Sequence, residues 1–240
     1  MLHSTREYQM SRNMNTRRSL YIICLLLLSA VGNKLDAQTV VKSVRQANDS
    51  TNHALIHQIG FDVRPGYVAP TNSFLEGDNA QRQKIDRSLS LHLKYAFQFS
   101  KDSYLGRLYP HAYQGIGVSH NTFYNSAELG NPVAVYAFQG APIVRLSSCL
   151  SLDYEWNFGA SFGWKQYDEH SNWYNDAIGS KINAYINLGF VLNWQFYPQW
   201  KLAAGVDFTH FSNGNTRYPN GGLNTIGGRV GIVRTFLSLI

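Results

Sequence analysis

Alternation with a period of two residues dominates this chain. From Ile182 to Phe196 every even position is apolar, whereas the odd positions include Asn183, Asn187, Gly189, Asn193 and Gln195. From Leu150 to Trp164 the even positions are Leu150, Leu152, Tyr154, Trp156, Phe158, Ala160, Phe162 and Trp164, set against Ser151, Asp153, Glu155, Asn157 and Ser161. From Leu89 to Phe99 the odd positions are apolar, with Ser90, His92, Lys94 and Gln98 between them. Successive side chains of a strand point to opposite faces, so each run reads as a strand with one apolar and one polar face. These runs cover 11 to 15 positions. A strand of a soluble sandwich commonly has about 5–6 residues, and a strand tilted across a bilayer needs about 9–11. Tyr154, Trp156, Trp164, Trp194, Phe196 and Trp200 gather near the ends of the runs, where interfacial girdles of a membrane barrel put aromatics. A sheet in hydrocarbon finds no water for its edges, so it must close on itself. The predicted fold is all-β: an eight-stranded antiparallel transmembrane β-barrel with a polar interior.

The eight strands are expected near 57–69, 88–100, 112–122, 132–146, 149–164, 181–196, 200–211 and 226–237. Leu146 to Cys149 and Tyr197 to Trp200 read as tight turns, while 70–87, 121–131, 165–180 and 212–225 are longer. Barrels of this type have short turns at one end and long loops at the other. Only 101–111 is long for its side. A barrel of eight strands is filled by its own side chains and is no channel. Asp62, Arg64, Asp153 and Glu155 are expected to pair inside it.

Residues 1–37 read as a signal peptide. Arg17 and Arg18 precede the apolar run Leu20–Val31, and a short polar stretch ends at Ala37. That run is too short for a membrane helix, which needs about 20 residues. Residues 38–56 then form an N-terminal periplasmic segment, and 57–240 the barrel. The formal charge of +6 falls to +3 without the leader, because five of its bases and two of its acids go with it. No basic stripe remains to bind nucleic acid. Charged residues are only 15% of the chain and aromatics 14%, the reverse of a disordered composition. Cys149 is the one cysteine after the leader, which excludes an internal disulfide. The histidines show no metal-binding spacing such as HExxH, so no metal ligands are assigned.

The residues that carry chemistry lie where the seventh strand ends. His210 and Ser212 are two apart, so on a strand they share a face. That brings an imidazole to a hydroxyl, a nucleophile with its base, needing a third group to orient the ring. Asn224 opens the returning eighth strand and offers a carbonyl for that purpose. An asparagine fixes the tautomer but stabilises an imidazolium less than a carboxylate does. Asp207 is costly against lipid, so the odd face of strand seven should point inward and His210, Ser212 and Asn224 outward. A hydrolase with that geometry takes its substrate sideways from the membrane. Two other histidine contexts read as inert: Ser119 and His120 diverge on a strand, and His170-Ser171-Asn172 is a solvated loop. Arg217 reads as a solvated loop residue, and Asn213-Gly214 and Pro219-Asn220-Gly221-Gly222 are also ordinary turn formers.

The run His210-Phe211-Ser212-Asn213, followed by Pro219-Asn220-Gly221-Gly222, resembles the outer-membrane lipid A 3-O-deacylase (PagL-type) family, also labelled acyloxyacyl hydrolase-like. The resemblance implies an eight-stranded outer-membrane barrel with a membrane-facing serine esterase site that removes a 3-linked acyl chain from the lipid A of lipopolysaccharide. It makes Ser212 the nucleophile and His210 the base, with Asn213, Gly214 and Asn220 as oxyanion-hole candidates and no cofactor. That family carries Glu where this chain has Asn224. With Asn fourteen positions after His, the same run is similar to outer-membrane phospholipase A, which has a Ser-His-Asn triad in a larger, calcium-dependent barrel of twelve strands. The length left after the leader is too short for twelve such strands with their loops. The substrate therefore stays open between lipid A and phospholipid, and calcium enters only under the phospholipase reading. A non-catalytic structural or adhesive barrel is the third reading. The acyl-chain preference and the oligomeric state are not legible in the sequence.

Overall fold

A computed structural model of the chain describes residues 55–237. The expected leader over 1–37 and almost all of the segment 38–56 lie outside the described residues. The strands are β1 (Leu55–Val68), β2 (Arg87–Phe99), β3 (Tyr113–Thr122), β4 (Gly130–Arg145), β5 (Leu150–Trp164), β6 (Ile182–Tyr197), β7 (Trp200–Ser212) and β8 (Leu223–Leu237). Each pairs antiparallel with its neighbour in sequence, and β8 pairs with β1, so the sheet closes into a barrel of eight strands. No backbone edge is left open, which is what hydrocarbon requires.

The connections at one end are 146–149, 198–199 and the longer β2–β3 link, which contains helix α2 (Tyr104–Leu108) capped by the Ser103 hydroxyl. At the other end lie the four long loops, and the first of them carries helix α1 (Ser73–Glu76). The Asn72 side chain caps α1, which drops Phe74 and Leu75 into the barrel mouth. β8 starts at Leu223, three residues before the expected 226. Leu223 is buried and the Ala69 N–H donates to the Asn224 carbonyl at 2.9 Å, which keeps the β1 and β8 ends paired to the rim.

The alternation read in the sequence separates the two faces of the wall. On β6, Ile182, Ile186, Leu188, Phe190 and Leu192 are exposed on the outside, while Asn183, Tyr185, Asn187 and Val191 are buried inside. Trp164 breaks the pattern. Expected outward with the other even residues of β5, it lies inside at 5% exposure, 5.1 Å ring to ring from Phe211 and 5.6 Å from Phe123. Gly163 takes φ +87° and the facing β4 strand shifts register between Gly130 and Val133. Such a bulge turns the next side chain to the other face.

The interior has two layers. Midway, Arg64, Lys94 and Arg229 interlock with Asp62, Glu155 and Asp207. Arg64 lies 2.8 Å from Asp62, Lys94 2.9 Å from Asp62, and Arg229 2.7 Å from Glu155. Asp153 stands apart from this cluster, contrary to expectation. It accepts from the Asn193 amide at 2.9 Å, and among the described residues no cation lies within 4.0 Å of it. Asp153 sits nearer the turn end, one inward position of β5 short of Glu155, which is the residue level with the three cations. Towards the loop end the filling becomes apolar: Phe123, Trp164, Tyr185, Phe211 and Leu223 meet Phe74 and Leu75 from the first loop. This plug was not expected from a lumen read as polar throughout.

Candidate functional site

The end of β7 is held from both sides. Phe211 points inward into the apolar plug at 1% exposure, so its neighbours His210 and Ser212 point outward, half-buried on the wall. His210 is directly opposite Asn224 in the β7–β8 register. The His210 Nδ1 lies 2.6 Å from Asn224 Oδ1, and its Nε2 lies 2.8 Å from Ser212 Oγ. An amide oxygen only accepts hydrogen bonds, so the ring proton sits on Nδ1 and donates to Asn224. The Nε2 lone pair is then free to accept from the Ser212 hydroxyl. The parity argument thus places the three side chains on one face, and the antiparallel β7–β8 register brings them into one hydrogen-bonded chain.

The turn after Ser212 is built from its own polar side chains. The Asn213 N–H donates to Asn220 Oδ1 at 3.0 Å, and the Asn213 amide donates to the Arg217 carbonyl at 2.7 Å. Asn220 also donates to Asn215 Oδ1 at 3.1 Å. Gly214 and Asn215 both take positive φ, +64° and +63°. Of the three oxyanion-hole candidates, Asn213 and Asn220 therefore hold each other. The Gly214 N–H, on an exposed residue, has no acceptor among the described residues. Arg217 is exposed in the same loop. Ser119 is buried while His120 is exposed, so that pair faces opposite ways, and His170 is exposed in the β5–β6 loop.

One position next to the pair was not singled out by the sequence. Gly222, at φ +69°, packs so closely that an added Cβ would meet the Phe211 carbonyl at 3.2 Å and His210 Cε1 at 3.4 Å. The Gly221 and Gly222 N–H groups donate to the Asp176 and Ala177 carbonyls at 2.9 and 3.0 Å. The β5–β6 loop therefore sets where β8 begins. Pro-Asn-Gly-Gly signals a turn in any sequence, and nothing local in it tells which loop will cover it.

The profile of a family described as Lipid A 3-O-deacylase (PagL) matches residues 90–233. That is more than half of the chain, from β2 into β8, and it includes His210, Ser212 and Asn224. No curated protein matches. Among solved structures, Neisserial surface protein A is similar at 8% identity over 75% of this chain and 97% of its own, with a TM-score of 0.48. The outer membrane enzyme PagL is similar at 11% identity over 72% of this chain and 97% of its own, with a TM-score of 0.47. The N-terminal β-barrel domain of Pseudomonas aeruginosa OprF is similar at 10% identity over 78% of this chain and 100% of its own, with a TM-score of 0.42.

Proposed function

The chain belongs to the lipid A 3-O-deacylase (PagL) family, and on that premise we propose that it is an outer-membrane esterase that removes an ester-linked acyl chain from lipid A. The observation that carries the reading is the chain of hydrogen bonds Asn224–His210–Ser212 on the outer wall, 2.6 and 2.8 Å long. His210 Nε2 takes the Ser212 proton as Oγ attacks the ester carbonyl. The imidazolium formed keeps its Nδ1 proton on Asn224 Oδ1. Collapse of the tetrahedral intermediate expels the sugar hydroxyl, which receives the proton from Nε2. Water, deprotonated by the same nitrogen, then releases the fatty acid and restores Ser212. The Gly214 N–H is a donor for the oxyanion. The Asn213 N–H becomes a second one when the ester oxygen replaces Asn220 Oδ1 on it. No step requires a metal or other cofactor.

The site sits at the loop end of the wall, beside exposed Ile186 and above the exposed apolar residues Phe208, Ile226 and Leu188. In this reading the loops face outside, the acyl chain lies along that surface, and the sugar headgroup of lipopolysaccharide lies at the rim. Mass spectrometry of lipid A after co-expression tests it. The expected result is loss of one hydroxyacyl chain, abolished by Ser212→Ala. Unchanged lipid A overturns the reading. The Asn at position 224 favours one second reading, a phospholipase. It would show as Ser212-dependent lysophospholipid, with lipid A unchanged and activity lost to a calcium chelator. No lipid change at all would leave a structural barrel.

A further inference from the structure

Asn175, in the β5–β6 loop, has 0% exposure. Its Nδ2 donates to the Glu128 and Lys165 carbonyls, both at 2.9 Å. Its Oδ1 accepts from the Ala177 and Ile178 N–H groups at 3.1 and 3.0 Å. These four bonds use the full capacity of one carboxamide. They tie the β3–β4 loop and the end of β5 to the backbone at 177–178. The Asp176 and Ala177 carbonyls beside that backbone are the acceptors for the Gly221 and Gly222 N–H groups, at 2.9 and 3.0 Å. Gly222 in turn lies against His210, and two residues later Asn224 holds His210 Nδ1 at 2.6 Å.

We propose that Asn175 is a positioning residue for the Ser212 site. By fixing the Ala177 carbonyl it sets where β8 starts, and through that the His210–Asn224 hydrogen bond. The inference rests on the reading of Ser212 as nucleophile. An apolar residue at 175 would leave the Ala177 and Ile178 N–H groups buried without a partner, whereas the Glu128 and Lys165 carbonyls keep the Asn172 amide at 2.9 and 3.4 Å. The backbone at 177–178 would therefore rearrange to satisfy its own N–H groups. The carbonyls that hold Gly221 and Gly222 belong to the segment that moves. A shift of about 1 Å at a catalytic group costs on the order of 10²-fold in rate.

Two measurements on the full-length barrel in detergent test this. One is the rate at which a fluorophosphonate labels Ser212, together with kcat and KM on lipid A. The other is the proton NMR signal of the His210 Nδ1–H, which reads the bond to Asn224 without any turnover. In barrel-folded Asn175→Ala, labelling and kcat are expected to fall about 10²-fold, with KM within about twofold, and the imidazole proton signal to broaden or move upfield. Asn175→Asp keeps the two accepted bonds and loses the two donated ones, so it is expected to fall between. Wild-type labelling together with a wild-type imidazole signal in either folded variant overturns the proposal. Should Asn175→Ala fail to fold, Asn175→Asp decides by the same readouts. Should Ser212 of the wild type not be labelled, the nucleophile reading fails. The imidazole signal still decides whether Asn175 orders the His210–Asn224 bond.

Discussion

Asn224 stands where a carboxylate would stabilise the imidazolium more strongly, yet the hydrogen bond it makes is short and well placed. Its contribution is to hold the ring with Nε2 towards Ser212. Asn224→Ala is therefore expected to lower kcat by about 10²–10⁴-fold without loss of the barrel, read in lipid A turnover. Asn224→Asp should retain activity, because a carboxylate oxygen at the same reach accepts the same proton. Gly222 acts by being small. A left-handed φ costs any side chain about 1–2 kcal/mol, and a methyl here would press on the Phe211 carbonyl at 3.2 Å while touching His210 Cε1 at 3.4 Å, so the backbone next to the ring must give by a few tenths of an ångström. Gly222→Ala is expected to lower kcat about 10²-fold with KM little changed, measured on the same substrate. The His-x-Ser spacing was legible because strand parity alone sets it. Gly222 and Asn175 were not, because what matters at each is the contact between the β5–β6 loop and the start of β8, which lie more than 30 residues apart in the chain.

At the scale of the element, β7 shows how alternation couples a site to a core. Phe208 and Phe211 are three apart and face opposite ways: Phe208 is 44% exposed on the outer wall and Phe211 is enclosed by Trp164, Phe123 and Tyr185. Truncating Phe211 leaves a cavity that the rigid rim fills poorly. Phe211→Ala is expected to cost about 3–5 kcal/mol in unfolding free energy. Phe208→Ala exchanges a side chain for lipid or detergent contact, and should cost less than about 1 kcal/mol, since lipid tails are as apolar as the group removed. Denaturant midpoints of the two variants check the contrast, and the opposite order would show that the rim is not the anchor of the site. Long strands with clean alternation were read correctly because every residue repeats the same signal. Trp164 was misplaced because a single bulge at Gly163 inverts the face, and sequence alternation carries no mark of φ.

At the scale of the molecule, the closed wall separates two demands. The lumen must neutralise its charges among themselves, and the outside must present an apolar face with one polar site. Asp62, Arg64, Glu155 and, by parity, Asp207 were recognised as interior, but the cluster with Lys94 and Arg229 forms only because closure brings β2, β7 and β8 to one level around β1 and β5. Strand order and stagger decide that pairing, and no single strand records it. Arg229 is the hub, at 2.7 Å from Glu155, 3.2 Å from Asp62 and 3.4 Å from Asp207. Removing it leaves three buried carboxylates facing two cations. Arg229→Met is expected to destabilise by about 3–5 kcal/mol, the cost of an uncompensated buried charge. Glu155→Leu alone should act similarly. The double variant should cost less than the sum, by a coupling of about 0.5–3 kcal/mol, because it removes both charges. Unfolding midpoints of the four proteins give that coupling directly. Labelling of Ser212, measured where each variant is still folded, should stay at the wild-type rate. Arg229 lies below the plug, and the hydrogen bonds that run from the network to β7 beside His210, from Arg64 to Asn187 and from Asn187 to Thr209, do not pass through Arg229. A fall in labelling in the folded Arg229→Met protein would instead mean that the charge cluster helps to set the register of β7 against β8, and that core and site are one unit.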